Sequence, residues 1–504
     1  MYIYRSYKHI LDILEGKMYF IGTDVGTTGT KTIIVDENGK ICGKGYQEYE
    51  LIAGKGGVVE QNAEDWWKAV VYSVNEAVKT IDNKDEIVAM SLSTQGGTIL
   101  PVDENFKPLC LAYTWMDERA VDETAALKAK YGEEIYERSG WRCSACFDPA
   151  RMLWMKANDP DSFNNARSFV STVEYVNYML TGKNITDPSN AAMRQLINVE
   201  TADWDDVLIE AAGLTRERLP QLLPTGAFVG TLTQDAAKAL NIPMSVKVYN
   251  GAHDQYCASL GCGAVKPGEM LLSTGTTWVI LGVSDKPLFT ASHIAPGVHP
   301  VKGLYGNITS LNSAGSALKW YKQIVNEEFP VIDDGSADRM ESAENIFFYP
   351  YFAGSGFPHH IPEVKACCMG LELMHDKYDL ARALMEGIAF ETRESLAEFA
   401  ANGTDIKKLK MVGGAAKSEL WSQITCDVTG CELHIPAEKD TCCIGAAMLA
   451  ATGYGYFKDF LEATEKMVCY SKVLKPNPKA AEFYDKKFAK YHKGFEMLKE
   501  FFCD

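Results

Sequence analysis

Asp24-Val-Gly26-Thr27-Thr28-Gly29-Thr30-Lys31 gathers a carboxylate, two glycines, three threonines and an amine into one short stretch. Glycines let a backbone bend closely around a ligand, and threonine hydroxyls with free N–H groups suit phosphate oxygens. A carboxylate beside phosphates is positioned to hold Mg²⁺, so Asp24 is the candidate metal ligand and Thr27, Thr28 and Lys31 the candidate phosphate contacts. The same residues also make an ordinary glycine-rich hairpin with a capping Asp, and this window alone leaves both readings open. Two other phosphate loops do not fit. Gly26-Thr-Thr-Gly29 runs into a β-branched strand where a dinucleotide fingerprint would open a helix, and Thr30, not Gly, precedes Lys31 as a Walker A loop would require.

A second carboxylate, Asp254, stands in Gly251-Ala-His253-Asp254-Gln255, where an apolar strand (Val246 to Asn250) meets a helix (Tyr256 to Gly261). Asp254 could cap that helix, or take a proton from a substrate hydroxyl. His253 reads as a structural hydrogen-bonding residue. The opening pattern then returns in Glu269-Met-Leu-Leu-Ser273-Thr-Gly275-Thr276-Thr277-Trp-Val-Ile-Leu281, half a chain away. Two Gly-Thr-Thr turns in strand–turn–strand settings suggest an internal duplication, each copy offering a phosphate hairpin. Ser273 stands where the first copy has Asp24, so the metal belongs with the first.

The elements that must position these residues alternate in α/β fashion. Tyr19 to Ile21 and Thr32 to Val35 are the hairpin arms, and a helix over Glu64 to Ile81 is marked by apolar residues three and four apart. The strand Ile87 to Ser93 delivers Thr94-Gln95-Gly96-Gly97-Thr98 at its carboxyl end, where ligands bind in open α/β sheets. Trp115-Met-Asp117-Glu-Arg119 is either a salt-bridged helix start or a sugar-contacting site. From Asp122 to Leu180 the pattern is helical, and Thr186 to Met193 reads as a turn before a tightly packed helix start. In the second half, Asn312 to Trp320 is a small-residue helix opening, and a long helix covers Asp379 to Ala401. The strand Leu409 to Val412 ends at Gly413-Gly414-Ala-Ala-Lys417-Ser418 before a helix over Glu419 to Thr429. Bare glycines there admit a flat ring or a phosphate, or simply make a tight turn. Thr441 to Ala451 is a helix of small residues suited to close packing, and Lys479 to Phe501 a terminal helix.

The 504 residues carry a net charge of −17 with no basic cluster, which argues against a nucleic-acid or anionic membrane partner. No apolar run approaches the ~18 residues that cross a bilayer, and the first 17 residues hold no apolar signal core. A cytoplasmic location follows by default, with Met18 an alternative start. The 14 cysteines include one lone CxxC, Cys143 to Cys146, and the adjacent pairs Cys367-Cys368 and Cys442-Cys443. That spacing fits reduced core residues better than zinc or disulfides.

Together these stretches resemble the FGGY carbohydrate kinases of the actin/hexokinase/Hsp70 superfamily, over nearly the whole chain after residue 17. Glu60-Gln61 with Trp66-Trp67, Trp115-x-Asp117-x-Arg119-Ala120, Leu180-Thr-Gly182, Asp187-x-Ser-Asn190 and Gly251-x-His-Asp254-Gln255 are similar to the xylulokinase branch. The resemblance implies an extension (1–17), an N-terminal domain (18–262) and a C-terminal domain (263–504), the two domains being ribonuclease-H-like and facing each other across a cleft. It implies an ATP-dependent transfer of the γ-phosphoryl group to a small sugar, with a pentulose such as D-xylulose expected and ribulose, glycerol, erythritol or gluconate as alternatives. By analogy, Asp254 is the base and Asp24 helps hold Mg²⁺. Gln95, Gly96, Trp115, Asp254 and Gln255 would meet the sugar. Thr27, Thr28 and Lys31 would line one side of the ATP phosphates and Gly275 and Thr276 the other, with Gly315, Lys319, Gly414 and Ser418 along the nucleotide. Just after the strand, where this chain has Gln95-Gly96-Gly97, xylulokinases usually show a Met-His pair and glycerol kinases an Arg-Glu pair, so the catalytic apparatus carries over better than the substrate. A homodimer is left open. A non-catalytic sensor would need the loss of Asp24 or Asp254, and a chaperone-like ATPase a peptide-binding domain after the core.

Overall fold

Apolar, β-branched arms make Tyr19–Val25 (β1) and Gly29–Val35 (β2) a hairpin whose turn is closed by the Gly26 N–H donating to the Gly29 carbonyl. Register sets Asp24 opposite Lys31. Ile41–Glu48 (β3) extends the hairpin antiparallel, while Ile87–Thr94 (β4) lies parallel to β1 with Ser93 opposite Asp24. Phe228–Thr231 (β5) and Lys247–His253 (β6) complete the sheet, in the order β5-β6-β4-β1-β2-β3, with β6 parallel to β4 and β5 antiparallel at the edge. The computed structural model describes residues 17–406 and 408–503, so all but the last residue of the leading 1–17 segment lies outside the described residues.

One face of this sheet buries Ile21, Val25, Ile34 and Leu92 against Trp66, Val70 and Val74 of Ala63–Ala77 (α1). Asn62 caps α1 by accepting from the Glu64 N–H, and its end tightens into a 3₁₀ turn at Val78–Thr80. The stretch expected to be helical from Asp122 to Leu180 is interrupted. It holds separate helices, including Asp148–Asn158 (α2), and a short strand, Ser168–Val170. Gly132 and Gly140, both at positive φ, end two of these helices. Pro188–Ala192 (α3) follows its N-cap Asp187, and Asp254–Cys262 (α4) follows β6 directly.

The described residues divide into two compact units, one holding those up to 263 with 297–302 and 440–468, the other those of 264–296, 303–439 and from 469 onward. The helix Thr441–Tyr454, which lies beyond the 263 boundary read from the sequence, therefore packs within the first unit, against β1, β4 and α4. Missing side chains permit this. A Cβ at Gly22 would strike the Cys443 carbonyl, one at Gly261 the Thr441 carbonyl and one at Gly445 the Cys257 carbonyl.

The second unit repeats the strand plan. Glu269–Thr274 (β7) and Trp278–Ser284 (β8) form a hairpin, and Tyr305–Leu311 (β9) extends it antiparallel. Lys408–Gly413 (β10) lies parallel to β7, Glu432–Pro436 (β11) parallel to β10, and Tyr470–Leu474 (β12) antiparallel to β11. Thus β9-β8-β7-β10-β11-β12 reproduces β3-β2-β1-β4-β6-β5, with a further short strand, Ala295–Val298, outside β9. The duplication read from two Gly-Thr-Thr turns extends to the whole strand order. Gly315–Val325 (α5), Lys377–Ala401 (α6) and Glu419–Thr429 (α7) cover this sheet, and its core includes Leu272, Trp278, Ile280, Leu384, Ile388, Met411 and Leu433. Among the described residues, no helix is long and apolar enough to cross a membrane.

Candidate active site

Asp24 and Asp254 are both in the first unit, at the carboxyl ends of two parallel strands, β1 and β6, that flank β4. Burial pushes the Asp24 carboxyl up to about 7. The Ser93 hydroxyl donating to Oδ1 at 2.7 Å opposes that rise, and the nearby Asp254 carboxylate adds to it. Lys31, across the hairpin from Asp24, directs its ammonium elsewhere, 2.7 Å from Asp440 Oδ1, and Lys44 reaches the other oxygen of Asp440 at 3.2 Å. Among the described residues no lysine or arginine pairs with Asp24 or Asp254. Burial holds the thiols of Cys257, Cys442 and Cys443, close by, well above the ordinary cysteine range, so they bring no charge.

A pair of carboxylates lacking a cationic partner is a donor set suited to a divalent ion. No cluster of three or more His, Cys, Asp or Glu among the described residues is arranged to hold a metal by itself. An ion here would take its other ligands from phosphate oxygens and water, as Mg²⁺ does. Asp254 does not cap its helix: it is the first residue of α4, no side-chain cap bond is made there, and Oδ1 is buried without a hydrogen bond. His253 Nε2 comes to 3.1 Å from that oxygen but is not aligned as a donor, while Nδ1 is buried and unpartnered. The neighbouring Gln255 also buries an unpartnered Oε1.

The other sugar candidates meet around the end of β4. The Gln95 N–H donates to the Val25 carbonyl, and Gln95 Nε2 donates to Gln61 Oε1 at 2.8 Å. Gln61 in turn donates to the Thr27 carbonyl, and Trp115 Nε1 donates to Thr27 Oγ1 at 3.0 Å. The hairpin turn, Gln95 and Trp115 are thereby one connected assembly. A Cβ on Gly96 would lie 2.5 Å from His253 Cδ2 and 2.7 Å from Met193 Cγ, so glycine makes room for those two side chains. Behind this wall Arg151 of α2 is fully buried and donates to the carbonyls of Gly97 (2.6 Å) and Thr114 (2.5 Å). Asp148 lies 3.6 Å from Arg151 and 2.7 Å from Arg194, the residue after Met193. Of the two readings for Asp117 and Arg119, the salt bridge is present. Arg119 joins Asp117 (2.7 Å) and Glu60 (2.6 Å) and stacks on the Tyr113 ring.

In the second unit the nucleotide candidates also share contacts. The Gly414 N–H donates to the Thr274 carbonyl, the Ala415 N–H to Thr274 Oγ1, and the Ser316 N–H to the Thr276 carbonyl. A Cβ on Gly315 would strike the Gly275 carbonyl, so the N-terminus of α5 lies directly on the turn. The exposed Gly275 and Thr276, the α5 N-terminus and the Gly414 turn thus lie together at the end of β7. Lys319 is exposed one turn into α5. The Ser418 hydroxyl is engaged locally, accepting from the Trp421 N–H and so capping α7.

Gln61, Arg151, Met193 and Asp440 were not among the site residues expected from sequence. The Glu60-Gln61 motif was visible, but nothing in the order of residues ties it to Gln95.

Two sheets of one strand plan, each with a phosphate-type hairpin, define the class: a duplicated ribonuclease-H-like kinase fold. Residues 19–261 match the N-terminal domain, and residues 270–454 the C-terminal domain, of the FGGY family of carbohydrate kinases. A xylulose kinase of Bacillus subtilis is 29% identical over 96% of this chain and 97% of its own, and a gluconokinase of the same organism is 26% identical over 89% and 90%. The crystal structure of a ligand-bound xylulose kinase from Lactobacillus acidophilus superposes with a TM-score of 0.91 at 26% identity, covering 96% of this chain and 99% of that one. The chain belongs to the FGGY family of carbohydrate kinases, enzymes that phosphorylate a sugar with ATP as donor.

Proposed function

We propose that this kinase phosphorylates a pentulose, D-xylulose being the first candidate, with Asp254 as the group that accepts the proton of the attacked hydroxyl. The observation carrying the proposal is Asp254 Oδ1: a carboxylate oxygen at a strand end, buried, making no hydrogen bond, beside a second carboxylate with no cationic partner. Phosphoryl transfer asks for positioning, neutralisation of phosphate charge and an acceptor for the hydroxyl proton. Asp254 answers the last need. A loose transition state requires that proton only late, so an ordinary carboxylate suffices.

Asp24 would hold Mg²⁺, which when bound neutralises charge on the transferring phosphates. Thr27, Thr28 and Lys31 would contact phosphates from the first hairpin, and Gly275 and Thr276 from the second. Gly315, Lys319 and Gly414 would border the nucleotide, while Ser418 would support it by fixing the start of α7. Gln95, Gly96, Trp115 and Gln255 would face the sugar.

A coupled ADP-release assay over D-xylulose, L-xylulose, ribulose, gluconate, glycerol and erythritol tests the reading. D-xylulose is expected to give the highest kcat/KM. If it is inert while another compound turns over quickly, the pentulose assignment is wrong and the kinase assignment stands. Turnover independent of every acceptor would remove the acceptor chemistry itself.

A further inference from the structure

The orientation of Gln95 is determined by a donor that has no alternative. The indole N–H of Trp66, fully buried, donates to Gln61 Oε1 at 3.1 Å. An indole nitrogen only donates, so the Gln61 oxygen must face it. Gln61 Nε2 is then the atom that donates to the Thr27 carbonyl, at 2.5 Å. Gln95 meets the same Gln61 oxygen and must present its own Nε2 there, at 2.8 Å. Its Oε1 is left buried and without a partner. The relay from Trp66 through Gln61 thus sets Gln95 as a hydrogen-bond acceptor.

Three side-chain oxygens at the ends of β4 and β6 have no hydrogen bond, Gln95 Oε1, Asp254 Oδ1 and Gln255 Oε1, with His253 Nδ1 likewise unpartnered. Each is buried, and a buried acceptor left unmade is costly, by ~1–3 kcal/mol. The cations around it do not reverse the bias. Arg119 is held by Asp117 and Glu60, Lys31 by Asp440, and the buried Arg151 and Arg194 share Asp148. A ligand that completes this site must bring O–H donors. A carboxylate would bring a charge and further acceptors to a place already rich in both.

We infer that the acceptor site selects neutral polyhydroxy compounds, ketoses or polyols, and rejects aldonic acids, with Trp66 and Gln61 acting as positioning residues that hold Gln95 as an acceptor. This rests on the kinase reading above. It separates substrate classes that coexist among the relatives, since one of them is a gluconokinase.

The test compares kcat/KM for D-xylulose, ribulose, erythritol and glycerol with that for gluconate on the full chain, together with the variants Trp66→Phe and Gln95→Glu. Wild type is expected to favour its best neutral acceptor over gluconate by at least about 100-fold, the discrimination of two lost hydrogen bonds. Trp66→Phe keeps the ring and removes the N–H. It should raise KM for the neutral acceptor by about tenfold while KM for ATP stays constant, a split that general loosening of the core would not produce. Gln95→Glu cannot donate to Gln61 and should lose the neutral acceptor without gaining gluconate. Gluconate turned over within tenfold of the best neutral acceptor overturns the inference while leaving the kinase intact. So does an unchanged acceptor KM in Trp66→Phe. Absence of turnover with every acceptor overturns the kinase reading, and this inference with it.

Discussion

Lys31 Nζ lies 2.7 Å from Asp440 Oδ1, joining residues 409 positions apart within one compact unit. The pairing decides where the amine of the first hairpin does not go. By register Lys31 faces Asp24, and without Asp440 its ammonium would be free to settle on that carboxylate. Asp440→Asn is therefore expected to put Lys31 in competition with the metal. The Mg²⁺ concentration for half-maximal ADP release should rise about tenfold, the weight of one charge-assisted contact, while the half-exposed pair itself contributes at most ~1 kcal/mol to folding. An unchanged Mg²⁺ titration would show that Asp440 does not guard Asp24.

Asp254→Asn preserves shape and one acceptor oxygen but removes the proton acceptor. Turnover should fall by about 10²–10⁴-fold, the usual worth of general base assistance, with nucleotide affinity close to wild type by calorimetry. An Asn variant with substantial turnover removes Asp254 from that role.

The two hairpins, the strand ends bearing Gln95 and Asp254, and the helices Lys377–Ala401, Glu419–Thr429, Thr441–Tyr454 and Pro478–Cys503 were legible because each rests on local pattern, β-branched arms around Gly-Thr-Thr or apolar and small residues at helical spacing, whereas the short helix Phe460–Met467 was not read. Ser418 shows the limit of such reading. Its position at a strand–helix junction is the same for a nucleotide contact and an N-cap, and only the Trp421 N–H distance reveals the cap. Arg151, Met193 and Asp440 were invisible for a different reason. Arg151 acts on the carbonyls of Gly97 and Thr114, Met193 fills the space that Gly96 leaves, and Asp440 reaches the hairpin from the far end of the chain. These are tertiary relations that no single window contains. The place of the Thr441–Tyr454 helix in the first unit was hidden likewise, although its small residues had announced close packing.

That packing makes a stability prediction. At Gly445 a Cβ would overlap the Cys257 carbonyl, and the helix cannot slide away because Gly22 and Gly261 meet it equally closely elsewhere. Gly445→Ala should cost roughly 2–3 kcal/mol by overpacking, more than its gain in helix propensity, and lower the urea midpoint without changing the m-value. A midpoint equal to wild type would mean that the interface yields to the added methyl group.

Arg151 offers a way to disturb the acceptor wall without touching it. Its two donors hold the Gly97 and Thr114 carbonyls, the backbone behind Gly96 and Trp115. Arg151→Met removes these bonds and strands Asp148 with Arg194 alone, so a loss of about 3 kcal/mol in stability is expected. Arg151→Lys keeps the charge but cannot span both carbonyls. It should fold, and raise the acceptor KM several-fold with the ATP KM unchanged. Equal shifts in both constants would assign Arg151 to general stability.

Glu391, in the second unit, gives a pH dependence with a definite sign. It is 4% exposed, and Tyr351 and Tyr491 both donate to its Oε1, at 2.7 and 2.8 Å. Burial pushes its carboxyl from the usual 4.5 up to about 7; the tyrosine hydrogen bonds lower it by less. The folded state therefore keeps a proton that the unfolded state has released. Its stabilising contribution is complete below pH 4.5, declines as pH rises, and is gone above 7, on the order of 3 kcal/mol in all. Glu391→Gln keeps an oxygen able to accept from both tyrosines and has no charge to bury. Relative to wild type, the variant should gain stability progressively between pH 4.5 and 7 and hold that gain constant above 7. Urea midpoints measured at pH 5, 6, 7 and 8 check this, and a difference independent of pH would mean that Glu391 is ionised in the fold throughout.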